Sequence, residues 1–153
     1  MSNEQPVEIE RKFLVGAMLF ELEAYPCFSI DQGYHSSLRF RKKDDKFFQT
    51  EKKGKGLVRI EREHEISSDE FNDNWPRTAG CRLSKKRYEI AYGKYICELD
   101  VYEGELDSLM TVEVEFDSVE EANAFIPPDW FDRELTDDER YTNYNLCLHG
   151  LPN

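Results

Sequence analysis

Polar and apolar side chains alternate with a period of two along most of this chain. The pattern starts in VEIERKF, where Glu8, Glu10 and Lys12 share one face of a strand and Ile9 and Phe13 the other. It returns from Phe28 to Tyr34 and again in SLRFRKK, which puts Arg39 and Arg41 on a common face; Gly33 and His35-Ser36-Ser37 predict the bend between them. Asp44-Asp45 predicts a turn into a return strand from Lys46 to Lys52, with Thr50 and Lys52 on one side, followed by the loop KKGKG. That loop has no Walker spacing and no helix signal behind it, so it reads as a hairpin turn and not a phosphate cradle. From Leu57 to Ile66 the order sets Arg59, Glu61, Glu63 and Glu65 on one face. A second hairpin turns at Gly93, with Lys85 and Arg87 together on its first arm and Glu98, Asp100 and Tyr102 together on its second, opposite Cys97, Leu99 and Val101. LMTVEVEFDS alternates most cleanly, Glu113 and Glu115 against Val112, Val114 and Phe116.

Helical signals are fewer. Met18, Leu19 and Leu22 suggest a short turn before Pro26. Ser67 or Ser68 caps a helix carrying Phe71 and Trp75 that Pro76 ends, which reads as an amphipathic lid. Ser118 caps a second helix that runs through Phe125 to Pro127-Pro128, and Thr136 or Asp137 starts a last one that Gly150 stops. With no repeat and no linker, residues 1–153 read as a single α+β domain built mainly of antiparallel strands.

Composition narrows the partners. The net charge of -12 argues against unspecific binding to nucleic acid or to an anionic membrane, so any anionic ligand must be held locally. Cys27, Cys81, Cys97 and Cys147 form no CxxC pair and have no histidine at zinc spacing, and His35, His64 and His149 stand alone. Glu4, Glu8 and Glu10 occupy the region where a signal peptide needs an apolar run, so a cytoplasmic location is expected.

The charged faces carry the chemistry. If the sheet closes on itself, one set of faces fills the interior. Helices bearing Phe71, Trp75, Phe125, Trp130, Tyr141 and Leu146 need an apolar surface, which outward Ile9, Phe13, Leu99, Val112 and Val114 would supply, leaving the charged faces to line a lumen. Such a lumen must be wet, internally paired and completed by ligands, because unpaired charges are costly to desolvate. Guanidinium and ammonium groups suit phosphate oxygens, and carboxylates suit a hard cation such as Mg²⁺. The expected ligand is a metal-bound polyphosphate. Arg11 and Lys86 fall on the opposite parity and belong outside, while Arg140 either reaches the lumen or pairs with acids beside it.

These residues resemble the CYTH, or triphosphate tunnel metalloenzyme, superfamily. EIERKFLV matches its Glu-x-Glu-x-Lys signature, and QGY at Gln32 to Tyr34, LRFR at Leu38 to Arg41, Thr50-x-Lys52, RIERE at Arg59 to Glu63, SKKRY at Ser84 to Tyr88, ELDVYEG at Glu98 to Gly104, VEVEF at Val112 to Phe116 and ERYTN at Glu139 to Asn143 follow in the family order. Length and FIPPDWF look most like the short bacterial inorganic triphosphatases; His35 after QGY and Glu51 between Thr50 and Lys52 depart from the pattern. The resemblance implies an eight-stranded antiparallel β-barrel with a few peripheral helices, and metal-dependent hydrolysis of inorganic triphosphate inside it. It implies phosphate binding by Lys12, Arg39, Arg41, Lys52, Arg59, Lys85 and Arg87. Mg²⁺ or Mn²⁺ would be held by Glu8, Glu10, Glu61, Glu63, Glu113 and Glu115, with Glu98 and Asp100 nearby. Lys85, Glu10 and Glu115 are the implied catalytic residues. The open alternatives are a nucleotide or thiamine triphosphatase, an adenylyl cyclase of the same superfamily, and a non-catalytic polyphosphate-binding module. The small anion is the expected partner, without nucleic acid or membrane, for a monomer or homodimer.

Overall fold

The computed structural model describes residues 7–16 and 21–153. Eight strands form a closed antiparallel barrel: β1 (Val7–Leu14), β2 (Cys27–His35), β3 (Leu38–Lys43), β4 (Lys46–Lys53), β5 (Val58–Ile66), β6 (Arg82–Tyr92), β7 (Tyr95–Tyr102) and β8 (Met110–Glu115), in the spatial order β1-β5-β4-β3-β2-β6-β7-β8. Closure commits each strand to one inward and one outward face. The β1–β5 seam is short, pairing Val7 to Ile9 with Val58 to Ile60. Beyond it the chain around Arg133 to Leu135 takes over as the neighbour of β1, with Leu14 N donating to Arg133 O at 2.9 Å and Leu135 N to Lys12 O at 2.7 Å.

The helices are short and capped by the side chains that local chemistry favours. α1 (Ser68–Asn74) starts at Ser67, whose Oγ accepts from Glu70 N at 3.1 Å, and Trp75 and Pro76 pass into a tighter turn. α2 (Val119–Ala124) starts at Ser118 in the same way. α3 (Asn143–His149) is capped by Thr142, later than the Thr136 or Asp137 start that the sequence predicts, because the intervening residues spend one turn as a 3-10 helix at Glu139–Tyr141 under an Asp138 cap. Gly150, at φ 76°, ends α3. The expected turn over Met18 and Leu19 lies outside the described residues; Leu22 opens a single 3-10 turn.

Outward faces make two apolar layers. Phe13, Leu99, Val112 and Val114 are buried beneath Ala122 and Phe125 of the α2 segment, with Trp130 and Phe131 packed against them. Burying one such large apolar side chain contributes roughly 1.5–3 kcal/mol. On the other side, Phe40 and Ile66 are covered by Phe71, with Phe47 and Trp75 packed alongside, so α1 is fastened to the outer wall. It is not the lid expected from its amphipathic pattern: outward Phe40, Phe47 and Ile66 give its apolar face a seat on the barrel. Gly33 serves this packing, because a Cβ there would stand 2.6 Å from Thr78, in the turn that follows α1.

Tyr141 and Leu146 depart from the expected outer packing. Leu146 is buried with Leu83, Tyr102, Leu106 and Leu109, with Leu14, Tyr141 and Cys147 alongside. Leu14, Leu83 and Tyr102 have the parity of the charged lumen residues, so α3 stoppers one end of the barrel. The hydrophilic interior is therefore a cup.

Candidate active site

The register decides which charges meet. Glu8 faces Arg59 across β1–β5, and Glu10 and Lys12 face Glu115 and Glu113 across β1–β8. Thr50 sits between Arg39 and Glu63, Lys52 faces Glu61, Arg87 faces Asp100, and Glu98 faces Glu113. These strands enclose a cavity of about 560 Å³ whose lining includes Glu8, Glu10, Lys12, Arg39, Arg41, Lys52, Arg59, Glu61, Glu63, Arg87, Glu98, Glu113 and Glu115. Among the predicted site residues, Lys85 and Asp100 stand apart: they are wholly buried and lie beneath that lining.

Most lumen cations are held by carboxylates. Arg39 Nη2 lies 3.0 Å from Glu63 and 3.7 Å from Glu61, Lys52 Nζ lies 3.4 Å from Glu8, and Arg59 pairs with Glu10. Lys12 Nζ donates to Tyr141 O at 2.6 Å, with Glu113 3.8 Å away. Beneath the cavity, Arg87 binds Asp100 through two hydrogen bonds of 2.8 and 2.9 Å, and Lys85 Nζ approaches the same carboxylate at 2.8 Å. Burial raises the Asp100 carboxyl, but Arg87 and Lys85 overcome it and hold the group at about 2. Burial brings the Lys85 ammonium down to about 7, against the pull of Asp100.

The carboxylates are unevenly compensated. Glu61 is pushed up to about 7 by burial and by its hydrogen bond with Glu8. Glu115 is raised by burial and by the nearby charges of Glu8 and Glu98. The cross-strand pairs Glu10–Glu115 and Glu98–Glu113 set like charges directly opposite one another, an arrangement that destabilises a sheet unless something offsets it. No group of three or more His, Cys, Asp or Glu side chains among the described residues is already gathered as a metal site. The donor chemistry nevertheless fits a hard cation: carboxylate oxygens gathered on β1, β7 and β8, among them the buried Glu8 Oε2, which the Lys52 ammonium approaches only to 3.4 Å.

Several lumen residues carry no charge, and the sequence pattern gave them no role at the site, although Thr50 was set on the face of Lys52 and Gln32 and Tyr34 stand in the QGY motif. Gln32 and Thr50 are fully or almost fully buried, and Phe48 lines the cavity. Tyr34 accepts from Gln32 Nε2 at 2.9 Å and stacks on Tyr144 of α3. Even-numbered positions on β2 share the inward parity of Arg39 and Arg41, which is the signal that could have placed them. The loop after β4 does reach the site, since Gly54, Lys55 and Gly56 line it and Lys55 pairs with Glu139 at 2.8 Å. Outside the barrel, Arg11 binds Glu134 and the carbonyls of Ala122 and Phe125, Lys86 is exposed, and Arg140 pairs with Asp138.

No protein-family model matches the chain. An inorganic triphosphatase of Nitrosomonas europaea is 45% identical over 150 residues, which span 92% of this chain and 97% of that one. An inorganic triphosphatase of Acetivibrio thermocellus is 34% identical over 155 residues, spanning 95% and 96%. Among solved structures, a crystal structure of an inorganic triphosphatase matches with a TM-score of 0.69 at 39% identity, covering 95% of this chain and 97% of that one. A Hippeastrum protein, described as a candidate adenylyl cyclase with a dominant triphosphatase activity, shares the fold at a TM-score of 0.56 and 16% identity, covering 76% and 83%.

Proposed function

The chain belongs to the inorganic triphosphatase family, and from that premise we propose that it splits inorganic triphosphate into pyrophosphate and orthophosphate inside the barrel, with Mg²⁺ or Mn²⁺. Its finer place is in the CYTH superfamily, a reading supported by the ordered motifs from EIERK to ERYTN and by the closed eight-stranded barrel. The observation that carries the mechanism is one cavity with arginines and lysines on β3 to β6 and like-charged carboxylates opposed on β1, β7 and β8.

Arg39, Arg41, Lys52, Arg59 and Arg87 bind the phosphate chain, Arg39 and Lys52 by exchanging carboxylate oxygens for phosphate oxygens. The exchange keeps each cation paired throughout, so binding avoids the cost of exposing a bare buried charge. Lys12 contributes from the seam, where Tyr141 O and Glu113 hold its ammonium. Lys85 reaches substrate only by leaving Asp100, and otherwise supports the floor on which Arg87 stands. Glu8, Glu10, Glu113 and Glu115 would hold the cation, with Glu61, Glu63 and Glu98 beside them. A cation held there would supply neutralisation of phosphate charge and a lowered pKa for the attacking water. What the chain adds is fixed geometry, with charged groups aimed into the cup.

The cup offers little to a nucleoside. Besides charged and small polar groups, its lining has Phe48, Leu135 and Tyr141, and specificity requires differential contacts. Inorganic triphosphate is therefore expected to have a higher kcat/KM than ATP with the same metal. Initial rates over matched concentrations, with the products identified, test this: pyrophosphate and orthophosphate should be formed and chelation should stop the reaction, whereas a preference for ATP, or cyclic AMP as the main product, would overturn it.

A further inference from the structure

Four basic side chains are buried among the described residues: Arg39, Arg41, Lys85 and Arg87. Arg39, Lys85 and Arg87 each have a carboxylate within ion-pair distance. Arg41 has an amide in that place. Its Nε and Nη2 both donate to Gln32 Oε1, at 3.1 and 2.8 Å. Gln32 is wholly buried and directly opposite Arg41 across β2–β3. Its amide is held in one orientation, because Nε2 donates to the Tyr34 hydroxyl at 2.9 Å while Oε1 faces the guanidinium. Turned over, the amide would set its own N–H groups against a cation.

We propose that Gln32 is a positioning residue for triphosphate: it aims Arg41 into the cup while leaving the positive charge uncompensated, so that the substrate is the first anion to pair with it. This rests on the triphosphatase reading above. Two of the five guanidinium N–H groups are used by Gln32, which leaves three for phosphate oxygens. The uncompensated state is energetically poor. Burial, together with the neighbouring Arg39 and Arg87 charges, brings Arg41 down to about 9. An arriving polyanion relieves that penalty, so its affinity draws on strain already present in the empty cup. A glutamate at position 32 would fit the same space and relieve the penalty permanently, at the expense of substrate.

The test compares wild type with Gln32→Glu, measuring KM and kcat for inorganic triphosphate with Mg²⁺ and the thermal midpoint without substrate. Gln32→Glu should raise KM at least ~10-fold, as expected when a charge-assisted contact is lost, with kcat within about threefold and the midpoint equal to or above wild type. A merely structural glutamine would not give weaker binding in an equally or more stable protein. If Gln32→Glu fails to fold, Gln32→Met decides: it keeps the volume but cannot hold Arg41, so KM should again rise with kcat within about threefold. An unchanged KM in the folded variant overturns the proposal, as does a loss confined to kcat. A wild type that does not hydrolyse triphosphate would instead sink the triphosphatase reading.

Discussion

Replacing Asp100 by alanine is expected to cost about 3–5 kcal/mol of folding stability, the penalty for removing one partner of a buried ion pair. Asp100 is wholly buried and is the anion on which Arg87 and Lys85 converge, so the variant leaves two cations inside the barrel wall with one carboxylate fewer. A loss of this size is a large part of the 5–15 kcal/mol typical of a domain. Urea unfolding at pH 7 measures it, and a variant within ~0.5 kcal/mol of wild type would show that the triad is not holding the floor of the cup. The acid side gives an independent check. Asp100 sits at about 2 in the folded protein, below the unfolded carboxyl value of about 3.9, so its contribution is complete above that value and lost as pH falls through about 2. That acid-linked loss should be missing from the variant.

The second large effect is on catalysis. Glu8→Gln and Glu10→Gln are each expected to lower turnover of triphosphate at least ~100-fold, the scale of losing transition-state charge stabilisation. The substitution keeps volume and removes the anionic oxygen that a hard cation needs. Folding should survive, since Lys52 and Arg59, the partners of Glu8 and Glu10, remain partly open to solvent. Turnover is to be measured at saturating metal beside a circular dichroism spectrum. Full activity in the double variant would remove both residues from the mechanism.

The alternation of side chains made the strands and their charged faces legible, because a period of two assigns every strand residue to one of two faces; closure into an eight-stranded barrel was implied by the family resemblance. Alternation sent Glu10, Arg39 and Lys52 to the same side as one another and Arg11 and Lys86 to the other. What it could not give was register. That Arg87 takes both oxygens of Asp100, while Glu98 and Glu113 are left facing each other, depends on how β6, β7 and β8 slide past one another. The packing of apolar residues on the charged faces was also hidden, even for Tyr102, whose face the alternation gave. Leu14, Leu83 and Tyr102 carry the lumen parity but pack on α3, and without them the barrel reads as open at both ends. Gln32 was named in the QGY motif but given no role, for a related reason: among so many charges, a neutral amide gives no electrostatic signal, although its position opposite Arg41 is what makes that arginine unlike the other buried cations.

All of this requires the phosphate chain to sit within the cup. A crystal structure with a non-hydrolysable triphosphate analogue tests that most directly. The account expects the anion inside the barrel in contact with Arg39, Arg41, Lys52 and Arg59, the 3.0 Å Arg39–Glu63 contact lengthened, and Arg41 still held by Gln32. An analogue bound on the outer surface, with the lumen ion pairs unchanged, would contradict it.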